Sequence, residues 1–149
     1  MTWFKESGIN ALTMPDQFRN RIKQPFPKGH DEAALALFRE ICTTQFEIDR
    51  DFLESVVSGS PYLRQLLQEH QTFATYCFNE VPETLFDELL IRTQLIDENL
   101  NQNLRHRKAE FALLCGLCDL GNIWSLNEVT NAITRFADTV IATAVNALV

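Results

Sequence analysis

Residues 125–148, SLNEVTNAITRFADTVIATAVNAL, carry the pattern that decides the fold. Ser125 and Glu128 have the spacing of a capping box: the serine oxygen accepts from the backbone N–H three residues on, and the glutamate reaches back to the serine N–H. Val129, Ile133, Phe136, Val140, Ala144 and Leu148 then recur in steps of three and four, which places them on one stripe of an α-helix. A half-buried strand would alternate apolar and polar residues instead, and no useful run of that kind occurs in the chain.

Working outward, the segment just upstream has the same period. After Pro82, Leu85, Leu89, Ile96, Leu100, Leu104, Phe111, Leu114 and Cys118 keep close to one helical face. Residues 83–119 hold no proline, and their one glycine is Gly116. They form either one long helix or two with a bend near Asn99–Asn103, where Asn99, Asn101, Gln102 and Asn103 are locally weak helix formers. Gly121-Asn122 ends the segment. Further back, Ser60-Pro61 starts a helix, with serine as N-cap and proline at the first helical position. It continues through Leu63, Leu66 and Leu67, and Phe73, Tyr76, Cys77 and Phe78 form the next cluster. Phe52, Leu53, Val56 and Val57 make a short stripe that stops at Ser58-Gly59, where the glycine is expected to take a left-handed cap. Ala34, Leu35, Leu37, Phe38, Ile41 and Cys42 make another.

The predicted fold class is therefore all-α: an irregular bundle of about six helices with a long helix or helix pair at residues 83–119. Residues 1–29, broken by Pro15, Pro25, Pro27 and Gly29, read as an N-terminal strap, and residues 30–149 as a single helical domain. Phe4, Ile9, Leu12, Phe18, Ile22 and Phe26 of the strap can pack onto the body, and its charges Arg19, Arg21, Lys23 and Lys28 are expected to be solvated.

Of the 149 residues, 46% are hydrophobic, and eleven Phe stand against two Trp and two Tyr, a supply suited to filling a core. The net charge of −7 argues against sequence-independent nucleic-acid binding, which needs clustered cations. No apolar run approaches the ~20 residues of a membrane span. The N-terminus lacks the apolar region of a signal peptide, so the expected compartment is the cytoplasm. Cys42, Cys77, Cys115 and Cys118 are then expected as reduced thiols.

Three groups of residues could carry chemistry. Cys115-Gly-Leu-Cys118 has CxxC spacing, but a zinc site wants a second ligand pair, His30, His70 and His106 are scattered, and leucines surround the thiols. A buried helix-core role is expected. Arg105-His106-Arg107-Lys108 spans about 300° of helix rotation and cannot meet one ligand as a block. It is either a solvated, ion-paired face or a contact for a nucleotide or a neighbouring domain. Asp49, Asp51 and Glu54 fit a polar helix start rather than a metal cage. No phosphate loop, GxSxG, HExxH or Cys/His nucleophile arrangement occurs. No residue is assigned as catalytic, cofactor-binding or metal-ligating.

The stretch LRHRKAEFALLCGLCDLGNIWSLNEVTNAITRFAD, residues 104–138, resembles the bacterial glutamine synthetase adenylyltransferase/adenylyl-removing family, in its alphaproteobacterial form. That form has an LR…KAE.ALL..L.D.G..W…VT.A.T.FAD pattern. Ser60-Pro-Tyr-Leu-Arg64 resembles the family's SPFL-like segment, so the likeness covers residues 60–148. Cys115 and Cys118 stand where the family commonly has small or aliphatic residues, and Asn122 where it often has glycine.

The resemblance implies a two-headed enzyme. One half transfers AMP from ATP to a tyrosine of glutamine synthetase, and the N-terminal half removes it by phosphorolysis to give ADP. It implies paired aspartates that hold Mg²⁺, in a GMGK…SSDIDL-like motif which this sequence lacks. The expectation is thus an N-terminal helical scaffold segment of the adenylyl-removing half, without its catalytic nucleotidyltransferase domain and inactive alone. ATP/ADP and Mg²⁺ would belong to the full-length enzyme, and no cofactor to this segment. The expected partners are the rest of the enzyme's own chain, glutamine synthetase and the PII signal protein. The alternative is a stand-alone helical module that docks glutamine synthetase or PII.

Overall fold

A computed structural model describes residues 16–24, 26, 29, 31–41 and 49–149. The described residues form eight helices: α1 (Phe18–Arg21), α2 (Glu32–Ile41), α3 (Arg50–Gly59), α4 (Pro61–Glu69), α5 (Gln71–Asn79), α6 (Pro82–Gln94), α7 (Leu100–Leu120) and α8 (Leu126–Asn146). No strand occurs among them. The count exceeds the expected six or so because α1 adds a single turn and the 83–119 segment divides into α6 and α7. Cys42, His30 and the strap's Phe4, Ile9 and Leu12 lie outside the described residues.

Local chemistry places several of the helix starts. Ser125 Oγ accepts from Glu128 N at 3.2 Å, and Ser125 N donates to Glu128 Oε2 at 2.6 Å, so both halves of the capping box on α8 are made. Ser60 Oγ accepts from Leu63 N at 3.2 Å with Pro61 at the first position of α4. Pro82 likewise opens α6. Gly59, by contrast, takes no left-handed cap. It is the last residue of α3, and extended Ser60 both ends α3 and starts α4. The helix changes direction there without a positive φ because one serine serves both ends.

The 83–119 segment is a helix pair. Its break spans Leu95–Asn99, earlier than the asparagine run suggests. Asn99 has φ 46° and ψ 47°, the left-handed conformation that asparagine tolerates, while Asn101, Gln102 and Asn103 are helical. Short connections at 95–99 and 121–125 fold α6, α7 and α8 together. α6 and α8 run parallel, as shown by the pairs Asp87–Arg135 and Thr93–Thr143.

α7 is the central helix and packs against α4, α5, α6 and α8. It therefore buries Glu110, Phe111, Leu113, Leu114, Cys115, Leu117 and Cys118, residues spread around most of its circumference rather than along one stripe. Gly116 lets α4 approach: a Cβ there would sit 2.7 Å from Leu63 Cδ2. Two aromatic clusters fill the core. Phe18, Phe26, Phe52 and Phe78 meet at one end. Phe86, Phe111, Phe136 and Trp124 meet at the other, with Phe111 stacked on Phe136 at 4.3 Å.

The chain around α1 is tied down. Phe18 is fully buried, with Ile22 and Phe26 packed against the core. Phe18 N donates to Glu80 O, and Lys23 N to Gly121 O. Arg19 and Arg21 are not solvated as expected: Arg19 reaches Asp49 at 2.8 Å, and Arg21 makes a bidentate pair with Glu83, which also accepts from Trp124 Nε1. The paired residues lie 30 and 62 positions apart in sequence, which is why the pairing was not legible.

On α8 the core line is Ala132, Phe136 and Thr143, flanked by Val129 and Val140. Ile133 and Leu148, expected on it, are exposed. Phe136 is 5% exposed and anchors the helix. Phe136→Ala is expected to cost about 3–5 kcal/mol, as aromatic-to-alanine changes in cores do. Urea melts check this, and a loss within ~0.5 kcal/mol would place Phe136 outside the load of the core.

Candidate functional site

The residues that could act chemically converge where α4 meets α5, against α6 and α7. Glu110 of α7 is 3% exposed. Its carboxylate faces Arg92 of α6 at 3.5 Å, His106 Nε2 one turn back at 3.5 Å, and Arg107, which donates to Oε1. The His106 ring meets His70 edge to face, with centroids 5.2 Å apart. Beside them lies a cavity of about 540 Å³, lined by Gln68, Glu69, His70, Gln71, Thr72, Phe73, Tyr76, Arg92, His106 and Glu110. Burial lowers the pKa of Arg92 and outweighs the attraction of Glu110. Burial also lowers that of His106, with Glu110 opposing and Arg107 and His70 adding.

The basic run thus divides. Arg107 and His106 are drawn to Glu110, while Arg105 and Lys108 are exposed. The histidines are not all scattered either: the fold brings His70 and His106 into contact. A His-x-x-x-Glu spacing at 106 and 110 was the available signal for half of this cluster, since such residues share a helix face. His70, at a helix junction, gave none.

Asp49, Asp51 and Glu54 do lie at a helix start, yet Asp49 is buried on Arg19 and gives α3 no side-chain cap. Glu54 pairs with Arg39, and Asp51 is exposed. Cys77, Cys115 and Cys118 are buried free thiols. Burial pushes the Cys115 thiol up to about 11 and also raises those of Cys77 and Cys118, which favours the neutral thiol at all three. No group of three or more His, Cys, Asp and Glu able to hold a metal occurs among the described residues.

A second surface lies on α8. At about 100° per residue, Ile133, Ala137, Ile141, Val145 and Leu148 form a stripe that starts about a quarter of a turn from the buried line and runs to nearly opposite it. Ile133, Ile141, Val145 and Leu148 are 50%, 62%, 52% and 86% exposed.

Fold and surfaces together define an all-α segment with a buried ionic cluster on one side and an uncovered apolar stripe on another. Residues 40–149 match the family model described as glutamate-ammonia ligase adenylyltransferase, and the chain belongs to that family. Among curated proteins it is similar to the bifunctional glutamine synthetase adenylyltransferase/adenylyl-removing enzyme of Caulobacter vibrioides, at 29% identity over 79% of this chain and 13% of the relative. It is similar to the enzyme of that name from Rhodopseudomonas palustris HaA2, at 34% identity over 57% of this chain and 9% of the relative. The Bradyrhizobium sp. BTAi1 enzyme is 29% identical over 90% of this chain and 14% of its own. The chain therefore aligns with about a tenth to a seventh of the length of these relatives. No solved structure matches. No described helix is long and apolar enough to cross a membrane.

His106 gives a pH prediction. Its folded pKa lies below the ordinary value, so the folded state prefers the neutral ring. Above both values the group contributes no difference. As pH falls through the unfolded value near ~6.5, the unfolded chain takes up the proton first and stability is lost. The urea midpoint should drop more between pH 7.5 and 6 in the wild type than in His106→Gln, with the pH values chosen to bracket that ~6.5. Equal drops would mean His106 titrates as in the unfolded chain.

Proposed function

We propose that this chain is a helical scaffold segment of the half of the bifunctional enzyme that removes AMP from glutamine synthetase by phosphorolysis. In this proposal the nucleotidyltransferase chemistry, with ATP/ADP and Mg²⁺, belongs to another part of the enzyme. Glutamine synthetase and PII are partners of the whole assembly in the cytoplasm. The segment's own immediate partner is that catalytic part.

The observation that carries this is the second apolar stripe on α8. An amphipathic helix in a finished bundle needs one buried face. α8 has its core line at Ala132, Phe136 and Thr143, and beside it bulky apolar side chains at Ile133, Ile141, Val145 and Leu148 that nothing in the described chain covers. Apolar side chains left bare at this density mark a contact surface. Domain contacts within one chain bury about 600–1,500 Å², a scale that a stripe of this length can supply. Val140, at the border of the two faces, packs inward and is only half part of the surface.

The test adds the purified chain to an adenylyl-removing portion of the Caulobacter vibrioides enzyme that lacks the corresponding segment. The expected result is association and faster release of ADP from adenylylated glutamine synthetase with phosphate and Mg²⁺, and no ADP release by the chain alone. Ile133→Ser/Ile141→Ser/Val145→Ser should keep its helix content and lose the association by at least about tenfold, since the interface core carries the energy. Binding to glutamine synthetase or PII by the chain alone, without binding to the catalytic portion, would favour the stand-alone module instead. Steady ADP release by the chain alone would refute the proposal outright.

A further inference from the structure

Resting on the scaffold reading above, we infer that the α8 stripe receives an amphipathic helix of the catalytic part, whose apolar face is bordered by acidic residues that meet Arg105 and Lys108 of α7. The shape of the stripe favours a helix. Ile133, Ala137, Ile141, Val145 and Leu148 recur at intervals of four, four, four and three, so they form one ridge of α8. From Ile133 to Leu148 the ridge is about 22 Å long at the helical rise. A ridge one side chain wide, bordered by grooves, is what a second helix packs on, at about 8–10 Å between axes. Ala137, small between Ile133 and Ile141, leaves a hole for a partner's side chain.

The flanks of the ridge carry the charge pattern. On α7, Phe111 stacks on Phe136 of α8, while Glu110, about 100° round the helix, faces Arg92 of α6. Lys108 and Arg105 lie about 60° and 120° from Phe111 in the opposite sense, on the side away from α6. α8 has the matching arrangement. Arg135 turns to Asp87 of α6, and Ile133, Ala137 and Ile141 lie on the other side of Phe136. Phe111 and Phe136 are both about 14 Å along their helices from the 121–125 connection, so α7 and α8 run antiparallel. Lys108 and Arg105, about 4.5 and 9 Å along α7 from Phe111, therefore stand level with about residues 139 and 142 of α8. They border the ridge beside Ile141.

Both cations are exposed, and neither has an ion-pair partner among the described residues, whereas Arg107 of the same run is held by Glu110. Asp138 is exposed on the far flank of the ridge, about 20° from Val145. Asp119, on the same side of α7 as Lys108, is about 12 Å from Phe111 toward the start of α8. The border is thus basic along the C-terminal half of α8 on the α7 side and acidic elsewhere. In a chain of net charge −7, free cations beside an apolar ridge select a partner with acids at that position and fix its direction along α8. An anionic lipid surface also takes apolar faces with basic borders, but the net charge and Asp138 at the border oppose it.

The experiment follows association of the whole chain with the adenylyl-removing portion of the Caulobacter vibrioides enzyme that lacks the corresponding segment. Surface plasmon resonance reads the rates at about 50 and 500 mM salt, which sets strong screening against weak. Arg105→Glu/Lys108→Glu is expected to slow association about tenfold or more at low salt, with the difference shrinking at high salt. Arg105→Lys/Lys108→Arg keeps the charges and should associate like the wild type. Arg50→Glu, a reversal at an exposed site on α3, should change the rate by less than about twofold. Arg105 and Lys108 are exposed, so these variants should keep the helix content of the wild type. Association lost in Ile133→Ser/Ile141→Ser/Val145→Ser but unchanged by charge reversal and by salt overturns the inference and leaves the scaffold reading standing. No association of the wild-type chain overturns both. Dimerisation of the chain that hides the ridge and blocks the catalytic portion assigns the ridge to a second copy and overturns the inference as well.

Discussion

Phe111 lies between Phe86 of α6 and Phe136 of α8, and the three longest helices converge on that contact. Its ring stacks on Phe136 at 4.3 Å and tilts against Phe86 at 5.7 Å. Burying such a side chain is worth about 1.5–3 kcal/mol, and each aromatic pair adds roughly 0.5–1.5. The consequence is positional as well as energetic. With Phe111 fixed, its neighbour Glu110 must turn away from that seam, toward Arg92, Arg107 and the α4–α5 junction. One turn of α7 thus holds the apolar seam on one side and the ionic cluster on the other.

That cluster is hard to explain by stability alone. Ion pairs removed from water gain little over apolar side chains of the same shape, because desolvation offsets the attraction. The core nearby shows how such a site is otherwise filled: Leu113, Leu114 and Leu117 are wholly buried on the same helix. The uncovered stripe of α8 follows a similar logic, since Ile141 and Leu148 add nothing to the bundle's own core. Both features sit at the margin of an otherwise well-filled interior.

Much of the fold was legible because local chemistry and tertiary packing agree. The Ser125–Glu128 box, the Ser60-Pro61 start and the helical period around Phe136 each fix an element without reference to distant residues. The failures came where one residue answers to several neighbours. α7 is buried around most of its circumference, so periodicity could mark one stripe of it but not the inward-facing Leu113 and Leu117. On α8, Ile133 fits the helical period as well as Ala132 does, and only the placement of α6 and α7 decides between them. The pairs Arg19–Asp49 and Arg21–Glu83 join residues 30 and 62 apart in sequence, beyond any local signal. Membership of the family was legible in residues 60–148, whereas the cavity needed His70 and His106 to be brought together by three helices.

Hydrogen exchange of backbone amides, read by mass spectrometry on the whole chain, tests most directly the claim that α7 is the central support and α8 is covered on one face only. The amides of Phe111–Cys118 should be the last to exchange, opening only with global unfolding, and those of Ile141–Ala147 among the first in the three long helices. Protection of the α8 C-terminal turns equal to that of α7 would contradict the account, because it would mean that the outer stripe of α8 is already covered within the chain.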